Sequence, residues 1–131
     1  MTATRKLALT GWIISILASL VFLMSGVMKF VGGPQVAQGL THLGISQSMV
    51  IPLGILELTC LVIYLIPITS VLGAILMSGY VGGIIVTHWR VGDPVYIAIV
   101  LGLMIWLGLY LREPRLRELI PLRRGSHRSD R

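Results

Sequence analysis

The chain has 131 residues and a formal net charge of +6; 55% of its residues are hydrophobic and 12% are charged, against about 25% charged in ordinary soluble domains. The mean hydropathy is +0.88. These values exclude a soluble domain built around a buried core and leave room for one integral membrane domain.

The positive charge is not a nucleic-acid footprint. Arg112, Arg115, Arg117, Arg123, Arg124, Arg128 and Arg131 all follow the last apolar stretch. A basic tail beside an apolar helix sets membrane orientation and meets lipid headgroups, and no nucleic-acid-binding motif accompanies it. The single cysteine, Cys60, excludes an internal disulfide and a CxxC pair within one chain. It reads as a small buried apolar residue.

A short basic start, Met1–Lys6, precedes Leu7–Met28, which carries no charge and is long enough to span a bilayer. Arg5 and Lys6 resemble the start of a signal peptide, but the apolar run is too long for one, so it is read as a retained helix. Ser15, Ser19, Phe22, Gly26 and Lys29 recur at helical spacing and form one packing face, which ends with Lys29 at the mouth of the bundle. Val31–Ser48 is broken by Gly32, Gly33, Pro34, Gly39 and Gly44. It predicts an interfacial or re-entrant segment over the bundle, with a short helix Gln35–Leu43 that places Val36, Leu40 and Leu43 on one side. His42 in this segment reads as a solvated interface histidine.

A second span covers Met49–Ile66 and stops at Pro67, a third covers Ser70–Thr87, and a fourth covers Pro94–Leu111. The expected fold is all-α, an integral membrane four-helix bundle over residues 1–124. A brief interfacial helix around Leu116–Ile120 and a disordered tail at 125–131 complete it. Arg5, Lys6 and the tail arginines lie on one side of the membrane, against Lys29 and Arg90 on the other. The positive-inside rule then predicts a multi-pass cell-membrane protein with both termini cytoplasmic.

Glu57 lies inside the second span, about 12 Å below its outer end at about 1.5 Å per residue. A carboxylate there costs several kcal/mol unless it is paired, protonated or hydrated, so it faces the bundle interior. Cys60, Leu61 and Tyr64 share its face. Two readings stay open: a buried ion pair or hydrogen-bonded glutamic acid that fixes helix register, and a ligand or proton site. On the third span Gly79 and Gly83 form a GxxxG with Gly82 beside them, which predicts helix packing. Tyr80 lies on another face and needs a hydrogen-bond partner such as Glu57 or a ligand carbonyl. Lys29, Glu57, His88, Arg90 and Asp93 reach one level of the membrane from different segments. The candidate ligand-binding residues are therefore Glu57, Lys29, Tyr80, His88, Arg90 and Asp93. Tyr96, Ile99, Leu103, Trp106 and Tyr110 form a stripe that reads as lipid-facing or core. No His-x-x-x-His or Glu-x-x-His pair is present, and no metal site is expected.

Several stretches resemble the DoxX-like family of small bacterial four-helix membrane proteins. They are Ser25-Gly26-Val27-Met28-Lys29-Phe30, Gly54-Ile55-Leu56-Glu57-Leu58, Gly73-Ala74-Ile75-Leu76, Gly79-Tyr80-Val81-Gly82-Gly83, Thr87–Pro94 and Tyr110-Leu111-Arg112. The resemblance implies four transmembrane helices. Some members of the family look like membrane subunits of sulfur-compound:quinone oxidoreductases or membrane partners of thiol-stress enzymes, which makes a quinone the implied cofactor and a soluble oxidoreductase the implied partner. It transfers no catalytic residue. The leading expectation is a binding or accessory protein whose outer-leaflet polar pocket takes a small amphipathic, quinone-like molecule. The competing readings are a membrane subunit of a quinone-linked oxidoreductase and a small-solute or proton carrier. Assembly with lipid alone, as a homo-oligomer or with an oxidoreductase is left open, as is catalysis itself.

Overall fold

In the computed structural model, residues 2–120 are described; Arg123, Arg124, Arg128, Arg131 and the tail expected to be disordered at 125–131 lie outside them. Each helix boundary has a local cause. Thr2 opens α1 (Ala3–Val31) by accepting a hydrogen bond from the Arg5 amide, and the chain leaves it at Gly32, whose φ of 71° suits glycine. Pro34 opens α2 (Pro34–Leu43), and Gly44 closes it in a left-handed conformation. The helix α3 (Val50–Leu65) ends at an extended Ile66 before Pro67, which cannot continue it. A tight turn leads into α4 (Ser70–Arg90). Gly92, with φ 82°, turns the chain towards α5 (Tyr96–Arg112), and α6 (Pro114–Leu119) follows.

The architecture is the expected all-α bundle: α1 packs on α3 and α5, and α4 packs on the same two helices. Three helical stretches, Ala3–Val31, Gln47–Leu65 and Pro67–Arg90, are long and apolar enough to cross a membrane. The fourth bundle helix, α5, is apolar but has 17 residues, about 25 Å at about 1.5 Å per residue, near the lower limit for a span. Large apolar side chains such as Leu17, Leu20, Met24, Leu72 and Leu103 point outward, as they do when the solvent is lipid. The faces read from the sequence are the faces that pack. Ser15, Ser19, Phe22 and Gly26 are buried on α1, and Glu57, Cys60, Leu61 and Tyr64 on α3.

Two expectations are corrected. The third helix does not stop at Thr87 but runs through Arg90, so His88 and Arg90 stand on its last turn rather than in a connection. The glycines at 79, 82 and 83 were expected to pack helices, yet a Cβ on any of them would meet nothing within 4 Å. Close approach occurs at other glycines. A Cβ on Gly73 would lie 2.2 Å from Tyr64 Cα, and one on Gly108 would lie 2.3 Å from Ser15 Oγ. Helix packing thus uses α4 at its first turn and α5 near its end.

The end of the bundle where α1 begins and α5 ends is tied by polar contacts. Tyr64 donates to the Ile105 carbonyl (2.7 Å), so Ser15 donates to Tyr64 Oη (2.9 Å). Ser70 donates to the Tyr64 carbonyl (2.9 Å). The Arg112 guanidinium stacks over Trp12, 4.1 Å from the ring centroid. These contacts leave the opposite end, where Lys29, Glu57 and His88 lie, to carry a site.

Candidate functional site: a cavity beside a buried ion pair

Antiparallel pairing of α1 with α3 sets Ser25 and Lys29 alongside Glu57. Gly26 and Gly54 allow the approach, since their missing side chains leave room for Leu58 and Phe30. Lys29 Nζ lies 2.7 Å from Glu57 Oε2. Tyr80 of α4 donates to the same oxygen at 3.0 Å, and Ser25 donates at 3.3 Å. Lys29 also donates to Ser25 Oγ (2.8 Å) and to the Ser25 carbonyl (3.4 Å). Glu57 is 0% exposed. Its Oε1 is buried with no hydrogen-bond partner. The ion-pair reading of Glu57 is therefore present in the geometry, with one carboxylate oxygen to spare.

Against this cluster lies a cavity of about 630 Å³, within the range of small-molecule sites. Ser25, Lys29, Cys60, Tyr80, Thr87 and His88 supply its polar wall, and Leu53, Leu56 and Leu76 are among its apolar lining. Gly79 and Gly83 also line it. The glycine face of α4 keeps space open where a larger residue would fill it.

The roof is α2, whose Leu40 and Leu43 line the cavity together with Ile45. It is hinged by Gly32 and Gly33 before it and Gly44 after it, all at positive φ. Its fastening is polar. His42 Nε2 meets Asp93 Oδ1 and Oδ2 at 2.8 and 2.9 Å, and His88 Nδ1 meets Oδ2 at 3.0 Å. The Arg90 guanidinium donates to the Leu43 carbonyl. Of the residues expected to form one site, Lys29, Tyr80 and His88 line the cavity, and Glu57 lies buried behind Lys29 and Tyr80. Arg90 and Asp93 lie outside the lining: the last turn of α4 and the Gly92 turn direct them to α2, where they hold the roof, and Asp93 also meets His88. His42, read as solvated, is exposed but fastened. Ser25 was not singled out, although its place one turn before Lys29 on α1 was a usable signal. Among the described residues, no group of three or more His, Cys, Asp and Glu side chains is placed to hold a metal ion.

The family model described as the DoxX-like family matches residues 13–110. The chain belongs to the DoxX-like family. As a member, it is an all-α membrane protein, and the matched range contains the ion pair, the cavity and its roof. No curated protein and no solved structure matches the chain.

Hydrogen bonds from His42, and then from His88, hold the Asp93 carboxyl below the usual carboxylate range. A lowered carboxyl pKa means that this fastening is complete above the ordinary Asp range and is lost as pH falls through the lowered value. A nitroxide on Gln38→Cys of α2 is therefore expected to stay immobile from neutral pH to below pH of about 4 and to loosen only in stronger acid. Asp93→Asn should make it mobile already at neutral pH. An α2 equally immobile in Asp93→Asn would show that the roof is held by its leucines alone.

Proposed function

We propose that this DoxX-like protein binds a small amphipathic molecule in the cavity beneath α2. Its apolar body would lie against Leu53, Leu56 and Leu76, with its polar head at Tyr80 and His88. The observation that carries this reading is the open space itself. The bundle leaves about 630 Å³ unfilled beside a buried charged pair, and it does so with glycines. Native interiors are otherwise close-packed, and buried ionisable groups in a membrane bundle mark functional sites more often than not. The proposed setting is a multi-pass protein with both termini cytoplasmic, supported by Arg5, Lys6, Arg112, Arg115 and Arg117 at one end of the bundle against Lys29 and Arg90 at the other. The cavity would then open from the outer leaflet.

The test is Gly83→Leu. A Cβ at Gly83 meets nothing, so the leucine enters the cavity without striking backbone. The variant is expected to keep the helical content and melting temperature of the wild type, while small molecules that co-purify with the wild type disappear from its extracts by mass spectrometry. A Gly83→Leu protein that retains the same molecules in the same amount would sink the proposal.

A further inference from the structure

The hydrogen atoms at the cavity wall are already committed, and this decides what kind of head group it accepts. All three ammonium hydrogens of Lys29 have acceptors in the protein: Glu57 Oε2, Ser25 Oγ and the Ser25 carbonyl. The hydroxyl hydrogens of Tyr80 and Ser25 point at Glu57 Oε2. Thr87 donates to the Gly83 carbonyl at 2.7 Å. His88 Nδ1 faces the Asp93 carboxylate; in the neutral ring the hydrogen sits there, and Nε2 is bare. Cys60 has only a thiol, a weak donor.

What remains unused at the wall is a set of acceptors: lone pairs on Tyr80 Oη and Thr87 Oγ1 and, when the His88 ring is neutral, its bare Nε2. Glu57 Oε1 is also buried and unpartnered, but it lies behind the wall: Ser25, Lys29 and Tyr80, which hold its carboxylate, line the cavity and Glu57 does not. A wall acceptor left without a donor when a ligand displaces its water costs free energy that a ligand hydrogen would recover.

Resting on the cavity reading above, we propose that the head group selected is a hydrogen-bond donor: an apolar alcohol or phenol. A quinone, the cofactor implied by resemblance alone, presents carbonyl acceptors and, against a neutral His88 ring, finds no free side-chain N–H or O–H at this wall besides the weak Cys60 thiol. The site discriminates because a head group that cannot donate leaves the wall's acceptors unpaired after expelling water from them. Such a loss is heavier than the gain from an added contact.

The probes are 4-octylphenol and its methyl ether, 4-octylanisole, which keeps the oxygen and loses the donor. Their binding is measured by equilibrium dialysis of the detergent-solubilised full chain against empty micelles. The phenol is expected to bind up to about tenfold more tightly than the ether, the ratio set by one hydrogen bond. Gly83→Leu should abolish the binding of both. Tyr80→Phe should weaken the phenol towards the affinity of the ether and leave the ether unchanged, a pattern that a merely distorted cavity does not produce. An ether bound as tightly as the phenol, with both lost in Gly83→Leu, overturns the donor inference and leaves the cavity standing. Binding of neither compound, or binding insensitive to Gly83→Leu, overturns the cavity and the inference together.

Discussion

Lys29→Met destabilises the bundle by about 3–5 kcal/mol, the cost of breaking a buried pair on one side, and Glu57→Gln by clearly less. The two members of the pair are not equivalent. The Glu57 side chain is 1% exposed, whereas that of Lys29 is 19% exposed. Removing the lysine leaves a carboxylate buried with two hydroxyl donors and no counter-charge. Removing the glutamate's charge leaves a lysine that can turn its ammonium outward to the interface, as long basic side chains do near helix ends. The double variant Lys29→Met/Glu57→Met should recover most of the loss, since an apolar pair of similar volume avoids both desolvation penalties. Thermal melts of the four proteins in one detergent supply the measurement. Equal destabilisation by the two single variants would mean that Glu57 carries no stable charge in the folded chain.

Gly73→Ala is expected to cost at least about 3 kcal/mol, the upper end for an overpacked site, whereas Gly79→Ala and Gly82→Ala are neutral or slightly stabilising. A Cβ at Gly73 would meet Tyr64 Cα at 2.2 Å, Tyr64 N at 2.3 Å and the Ile63 carbonyl carbon at 2.8 Å. These are backbone atoms, so no side-chain rotation relieves the clash, and α4 would have to move off α3. That displacement also disturbs Ser70 and Tyr64, which tie this end of the bundle. At Gly79 and Gly82 the new methyl enters open space, and alanine gains about 0.5–1 kcal/mol in helix preference over glycine. If Gly82→Ala melts as low as Gly73→Ala, the open glycine face is covered in the assembled protein.

The contrast among these glycines shows where sequence reasoning stops. GxxxG spacing identifies small residues on one face of a helix, but it does not say whether the face meets a neighbour or a void. The neighbour is chosen by the crossing of α4 with α3 and α5. That crossing brings Gly73 against Tyr64 and leaves Gly79 and Gly83 beside the cavity. The same limit applies to the polar rim. His88, Arg90 and Asp93 are close in sequence and were grouped for that reason. One turn of helix beyond Thr87 and a left-handed Gly92 leave His88 on the cavity lining and turn Arg90 and Asp93 to α2, with Asp93 bridging His88 and His42.

The sequence by itself determined what each element is and which side of it is buried. Charge scarcity set the class, prolines and glycines set the helix ends, and a period near 3.6 residues set the packing faces of α1 and α3. It also implied that Glu57 needs a partner, because a carboxylate in an apolar span does not stay bare. Only the tertiary structure decided which partners were used, since Lys29, Ser25 and Tyr80 come to Glu57 from helices whose relative register no local pattern encodes. The structure likewise decided how α2, which the sequence places over the bundle, is fastened there, and that the cavity's hydrogens are spent. Both are properties of distances between segments, and those distances are set when the helices pack.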